Sequence, residues 1–270
     1  SLPFVRQAER LFRTPYERIL EHALGFEAAV PEEYREEMRA LAEAAEVDYR
    51  EIAALNTFLD TDCLCEAETV WCVNAVAWGE ATADGSLLHA RNLDFPSGGY
   101  AQRMAAVFHY RPACGHAFLS VGWAGIVGAV TGMNDCGLTV TEITSRTRTV
   151  SPKGMPLMIL LRQLLQYAGS IEEAVEIIRS SPRTGGFNVT LTDWRGPEAV
   201  VVEFDAEQVA VRRGSRGLLV RSENRLTPAL ARGQRLSPSG VARHIRACDL
   251  LERDHGRITP DTMIALLRDR

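Results

Sequence analysis

The chain has no apolar run long enough to cross a bilayer. Its longest candidate, residues 121–133, has thirteen residues and four glycines, short of the roughly 18 that a span needs. No membrane span is expected, and this stretch reads as a buried strand with close backbone packing. Excess basic charge is also missing: 30 Lys and Arg against 35 Asp and Glu give a net charge of −5. That balance argues against a nucleic-acid partner, which calls for a basic face. Arginines outnumber lysines heavily, without identifying a partner. Six cysteines in 270 residues are too few for a disulfide scaffold. Cys63 and Cys65 are separated by one residue, not by the two of zinc knuckles, and the six histidines form no His-x-x-x-His pair. Neither a metal nor a cofactor is expected. Repeats and low-complexity segments are absent. Because the chain starts at Ser1, a preceding segment is expected to have been removed or left out, so the lack of a signal peptide is uninformative and the compartment stays open.

What is present is an ordinary globular composition, 46% hydrophobic and 24% charged. The length suits one large domain plus a helical extension. Apolar positions near helical spacing predict a helix over residues 4–24. Pro31-Glu32-Glu33 opens a second, and the capping pattern Asp48-Tyr49-Arg50-Glu51 opens a third through Leu59. The acidic stretch 60–68 reads as an exposed loop and a natural boundary. Residues 72–144 are strand-rich, and 154–168 and 170–179 read as helices, the second capped by Ser170. Strands follow at 187–192, 199–204, 208–212 and 218–221, then helices from Gly240 and from Pro260, the last capped by Thr259. Alternating blocks of strands and helices predict an α+β fold of two stacked antiparallel sheets between helical layers.

The chemistry concentrates around Trp71-Cys72-Val73-Asn74-Ala75-Val76-Ala77-Trp78-Gly79 and Arg91-Asn92-Leu93-Asp94-Phe95. Both read as strands, joined by a turn at Thr82-Ala83-Asp84-Gly85. Cys72, Arg91 and Asp94 can therefore meet at one end of a sheet. By residue type alone, a strand cysteine is a small core hydrophobe. Three further segments follow in order: Gly132-Met133-Asn134-Asp135-Cys136-Gly137-Leu138, Ser222-Glu223-Asn224-Arg225 and Ser239-Gly240-Val241-Ala242-Arg243.

Together these segments resemble the cysteine group of N-terminal nucleophile hydrolases, of the choloylglycine hydrolase and penicillin acyltransferase kind. The resemblance covers most of the chain from about residue 31. It implies a four-layer αββα sandwich over residues 72–270, preceded by a helical pro-segment, 1–71, that is cut off before the cysteine. Cys72 would be the nucleophile and its freed α-amine the base, since an α-amine titrates near ~8. Arg91 would sit beside the thiol and favour thiolate, and Asp94 would orient the α-amine. Asn134 and Asn224 would hold the oxyanion, and Arg243 would return from a late helix to the site. The implied activity is that of a self-cleaving amidohydrolase or acyltransferase on linear N-acyl carboxamides, through a thioester. Its partner would be a small-molecule amide, and a homo-oligomer is compatible. The resemblance also implies further strands beyond Arg270.

The chain departs from the family pattern at four points: Trp71 where glycine is usual, Val73 where Thr or Ser is usual, Arg225 where His is usual, and a Ser239-to-Arg243 spacing one residue longer. Trp71 keeps open an alternative, an uncleaved and catalytically silent binding protein of the same fold. A papain-like hydrolase would need a Cys-Gly-Ser-Cys segment, and a phosphate binder on Gly122-x-x-Gly125-x-x-Gly128 would need the P-loop Lys-Ser/Thr. Neither is present.

Overall fold

The computed structural model describes residues 2–67, 69–232, 234 and 236–269. Five helices come first: α1 (Pro3–Phe12), α2 (Tyr16–Gly25), α3 (Glu32–Ala44), α4 (Tyr49–Asn56) and α5 (Phe58–Leu64). The single helix expected over 4–24 is two helices. Arg13 takes a left-handed φ of 50° that ends α1, and Pro15 starts α2 because it cannot donate to a helical ladder. Asp48 caps α4 as expected, accepting from Arg50 N–H at 2.9 Å. Glu51 does not complete the capping box. It is buried and accepts from Leu2 N–H at 2.9 Å and from the Tyr16 hydroxyl, tying α4 to α1 and α2.

Of the acidic stretch at 60–68, residues 60–64 form a helix and not an exposed loop, and residue 68 lies outside the described residues. Asp60, Thr61 and Asp62 lie on α5 and are buried. Asp60 accepts from Leu157 N–H at 3.0 Å and from the Thr184 hydroxyl at 2.5 Å. Asp62 accepts from the N–H and hydroxyl of Thr69, at 3.0 and 2.6 Å. Buried carboxylates persist only with such donors, so these acids dock the helix and do not solvate it. Phe4, Phe12, Ile19, Tyr34, Ile52 and Phe58 of the helical segment join Phe118, Leu138, Ile143 and Phe187 in one core. The boundary at Cys72 is therefore no gap in packing.

The remainder alternates β1 (Trp71–Gly79), β2 (Gly85–Asp94), a short α6 (Tyr100–Met104), β3 (Ala105–Tyr110), β4 (Phe118–Trp123), β5 (Thr131–Asn134) and β6 (Leu138–Thr144). Then come α7 (Leu157–Tyr167), α8 (Ile171–Ser180), β7 (Phe187–Asp193), β8 (Glu198–Phe204), β9 (Val209–Arg213), β10 (Leu218–Arg221), a short α9 (Pro228–Ala231), α10 (Pro238–Arg253) and α11 (Pro260–Arg268). The strands form two antiparallel sheets, β10-β1-β2 and β3 through β9 in chain order. α10 and α11 pack on the smaller sheet and α7 and α8 on the larger, while β1 faces β6 and β10 faces β8. The layers run helix, sheet, sheet, helix, as expected. Residues 121–133 are not one strand: β4 ends at Trp123 and β5 begins at Thr131. Gly125 has a φ of +97°, and a Cβ on Gly128 would fall 2.7 Å from the backbone of Met158. The close packing holds, but it belongs to a loop pressed against α7.

Candidate functional site

Cys72 lies near the start of β1, opposite Leu93 on β2, with Asn74 opposite Arg91 and Trp71 opposite Asp94. Because side chains alternate along a strand, Cys72 and Asn74 share the face turned to the larger sheet, and Arg91 reaches Cys72 along the diagonal. Its Nη2 lies 3.8 Å from Cys72 Sγ. The guanidinium spans the gap between the sheets. Nη1 donates to the Val130 carbonyl at 3.1 Å and the Thr131 hydroxyl at 2.5 Å, and Nη2 to the Glu142 carbonyl at 3.0 Å and to the Glu142 carboxylate. Arg91 and Glu142 form an ion pair buried on both sides.

Arg91 lies beside the thiol, yet the thiol does not become acidic. Burial, reinforced by the negative Glu142, pushes it up to about 12 against the downward pull of Arg91. The sulfur is therefore a fully buried thiol that keeps its proton at neutral pH.

The backbone of Cys72 is held by a second ion pair. Its N–H donates to Glu223 Oε1 at 3.1 Å, its carbonyl accepts from Arg243 Nη1, and Arg243 Nη2 pairs with Glu223. Arg243 comes from α10, whose start is fixed by Ser237 accepting from Gly240 N–H at 3.1 Å. A Cβ at Gly240 would lie 2.4 Å from Glu223 Oε2, so a larger residue there would displace the carboxylate that holds Cys72.

Comparison with known proteins gives this arrangement its family. The family model for acyl-coenzyme A:6-aminopenicillanic acid acyl-transferase matches residues 81–270. The chain belongs to this acyl-transferase family. It is 30% identical over 213 residues to an uncharacterized protein of Archaeoglobus fulgidus, covering 71% of this chain and 36% of that one. It is 29% identical over 194 residues to protein dcd1A of Dictyostelium discoideum, covering 67% and 42%. The chain thus spans well under half the length of these relatives. Among solved structures, an N-acylethanolamine-hydrolyzing acid amidase ortholog from Caenorhabditis elegans superposes with a TM-score of 0.56 at 16% identity, over 73% of this chain and 86% of that one. A mutant conjugated bile acid hydrolase from Clostridium perfringens gives 0.51 at 18% identity, over 73% and 78%. The fold is that of the N-terminal nucleophile hydrolases.

The acyl-transferase match begins nine residues after Cys72, so Arg91, Glu142, Glu223 and Arg243 fall inside it and the thiol outside. The other expected site residues divide. Asp94 is exposed at the end of β2, and the Cys72 N–H that it was expected to orient is held by Glu223 instead. Asn134 gives both of its N–H groups to carbonyls near the end of α7, Leu165 at 3.0 Å and Ala168 at 2.7 Å, and accepts from Leu138 N–H. No donor is left for an oxyanion, so the structure makes Asn134 a turn clip. Asn224 braces Ser237, accepting from its N–H at 3.0 Å and giving one N–H to its carbonyl at 3.3 Å, which leaves its second N–H to offer. His89 is packed between Thr141 and Thr192, and burial lowers it to about 3.

Sequence reasoning missed Glu142 and Glu223 as site residues. A detectable signal for Glu142 was a carboxylate amid Thr139-Val140-Thr141 and Ile143-Thr144, in a strand otherwise fit for burial between sheets. Among the described residues, donor atoms of His116, Asp135 and Cys136 gather within 4.8 Å at the β5–β6 turn. Asp135 there is 59% exposed, and nothing links the group to Cys72.

Proposed function

We propose that this chain is a cysteine amidohydrolase or acyltransferase of the N-terminal nucleophile type, activated by cleavage between Trp71 and Cys72. The observation that carries the reading is the convergence on one residue of a cation at its sulfur, Arg91, and a carboxylate at its backbone nitrogen, Glu223. Cleavage turns that nitrogen into an α-amine that titrates near ~8 and can take the thiol proton. Glu223 holds the amine, Arg243 fixes the adjoining carbonyl, and Arg91 stabilises the thiolate once the amine has taken the proton. Sγ then attacks an amide carbonyl, and the free N–H of Asn224 is the remaining side-chain donor assigned to the oxyanion. Water or an amine resolves the thioester.

The test is the intact mass of freshly purified protein beside a Cys72→Ala variant. The expected result is wild type divided between Trp71 and Cys72, with the variant whole. If both stay whole, self-cleavage is lost from the mechanism, which leaves either an externally processed precursor or an uncleaved binding protein of this fold.

A further inference from the structure

The turn that carries Asn134 also gathers a second group of reactive side chains, apart from Cys72. His116 stands on the loop between β3 and β4, and Asp135 and Cys136 on the turn between β5 and β6. The pairing of Phe118 with Asn134 across β4 and β5 brings the two segments side by side. Cys136 Sγ lies 3.2 Å from His116 Nδ1, and Asp135 Oδ1 lies 3.6 Å from the same nitrogen. One donor atom from each residue lies within 4.8 Å of the other two. The backbone fixes both segments. His116 N–H donates to the Gln166 carbonyl at 2.7 Å, Asp135 N–H to the Ala117 carbonyl at 2.9 Å, and Gly137 N–H to the Asn134 carbonyl at 3.1 Å.

The arrangement is wrong for a nucleophilic triad, which places thiol and carboxylate on opposite nitrogens of the imidazole. Here both approach Nδ1. Around a metal ion the donor atoms instead face one another along the edges of a polyhedron. Zinc bonds of ~2.0–2.3 Å at tetrahedral angles set those edges at roughly 3.3–3.6 Å. The measured edges of 3.2 and 3.6 Å agree. The donor types agree too, because thiolate and imidazole favour zinc over magnesium or calcium, and one thiolate with one carboxylate cancels its charge. A Cβ on Gly169 would stand 3.4 Å from Glu173 Oε2, 3.6 Å from His116 Nε2 and 3.8 Å from Cys136 Sγ, so the glycine leaves open the space that these side chains border. The neighbouring cation, Arg195, is engaged by Asp193 at 3.0 Å and by the Gly169 carbonyl. With His116 32% and Asp135 59% exposed, an ion can enter from solvent.

We propose that His116, Asp135 and Cys136 form a zinc site, with water in the fourth position. The sulfur–hydrogen bond of Cys136 breaks as the zinc–sulfur bond forms, and the proton passes to solvent with no change of oxidation state. The ion ties the β3–β4 loop to the β5–β6 turn and stabilises the fold. This site is independent of the cysteine amidase reading. Sequence spacing predicts no metal because His116 and Cys136 are 20 residues apart and only the sheet brings them together.

The test titrates Co2+ and then Zn2+ into untagged protein stripped with a chelator. A single equivalent of Co2+ should give thiolate-to-cobalt charge-transfer absorption and the d–d bands of a tetrahedral site. Zn2+ should displace it and raise the melting temperature by several degrees. Cys136→Ser should abolish the charge-transfer absorption, whereas Cys72→Ala and Cys114→Ser should keep it. Asp135→Asn, at an exposed side chain, should weaken Zn2+ by about tenfold or more in titration calorimetry. Absence of the absorption in wild type, or its survival in Cys136→Ser, overturns the site and leaves a hydrogen-bonded cluster only. Should Cys136→Ser fail to fold, Asp135→Asn decides, and an unchanged Zn2+ affinity there overturns the site.

Discussion

The two ends of Cys72 are held by ion pairs of opposite character. At the sulfur, Arg91 and Glu142 have side chains 7% and 0% exposed and weld one sheet to the other. At the backbone, Arg243 is 27% exposed and Glu223 4%, and the pair joins a helix to a strand end. A pair buried on both sides is costly to break because one partner is left as an uncompensated charge, whereas in the second pair Glu223 is buried but the cation left behind, Arg243, reaches water. The sulfur-side pair should therefore be read out in stability as well as in chemistry, and the backbone-side pair more in chemistry than in stability.

The sharpest way to break that contrast is Arg91→Met, which strands the Glu142 carboxylate. A loss of about 3–5 kcal/mol in denaturant unfolding is expected, together with loss of cleavage before Cys72. Adding Glu142→Leu should restore much of the stability without restoring cleavage. If stability returned together with cleavage, Arg91 would be structural only. On the other side, Glu223→Gln keeps the shape and removes the charge that holds the Cys72 nitrogen. Cleavage and amide turnover should slow by about a hundredfold, with unfolding free energy changed by less than about 1 kcal/mol. A large stability loss with unchanged rate would reverse the assignment.

Much of the layering was legible in the sequence, because periodicity reports which face of an element is buried. The strands at 187–193, 198–204 and 218–221 and the caps at Ser170 and Thr259 came within a residue or two. The failures at Asp60 and Asn134 share one cause, partners that lie far along the chain. The acid at 60 reads as solvated because its donors, Leu157 and Thr184, are about a hundred residues away. Asn134 matched a catalytic motif, but its amide is consumed by carbonyls at 165 and 168 that local spacing cannot reveal. The family resemblance puts Asp94 on the Cys72 amine, although the strand end turns it out to solvent.

Asn134 and Asn224 extend the comparison to smaller effects. Asn134→Ala leaves the carbonyls of Leu165 and Ala168 without their donor, which should cost about 1–3 kcal/mol and leave the cleavage rate alone. Asn224→Ala should lower turnover by about a hundredfold if its free N–H meets the oxyanion. Rates that fall equally in both variants would show that the amides act through the fold and not through the reaction.

Asp60 provides the control for the other two buried carboxylates, Glu142 and Glu223. Like Glu142 and Glu223 it is buried, but the partners that hold it are a backbone N–H and a hydroxyl, with no cation among them. Burial raises it from the model-peptide value of 3.8 to about 7. A folded-state value above the unfolded one means that the native protein binds the proton more tightly. Its contribution to stability is therefore fully present below pH 3.8, declines as pH rises, and is gone once pH passes about 7. Asp60→Asn keeps a neutral acceptor for Leu157 and Thr184 and removes the titration. The melting temperature of wild type minus that of the variant should fall between pH 4 and pH 7 and level off above, in the window set by the raised value. A difference that stays flat across that range would mean that the carboxylate is ionised in the folded protein, and that neutral donors alone hold a buried charge as well as the arginines hold theirs.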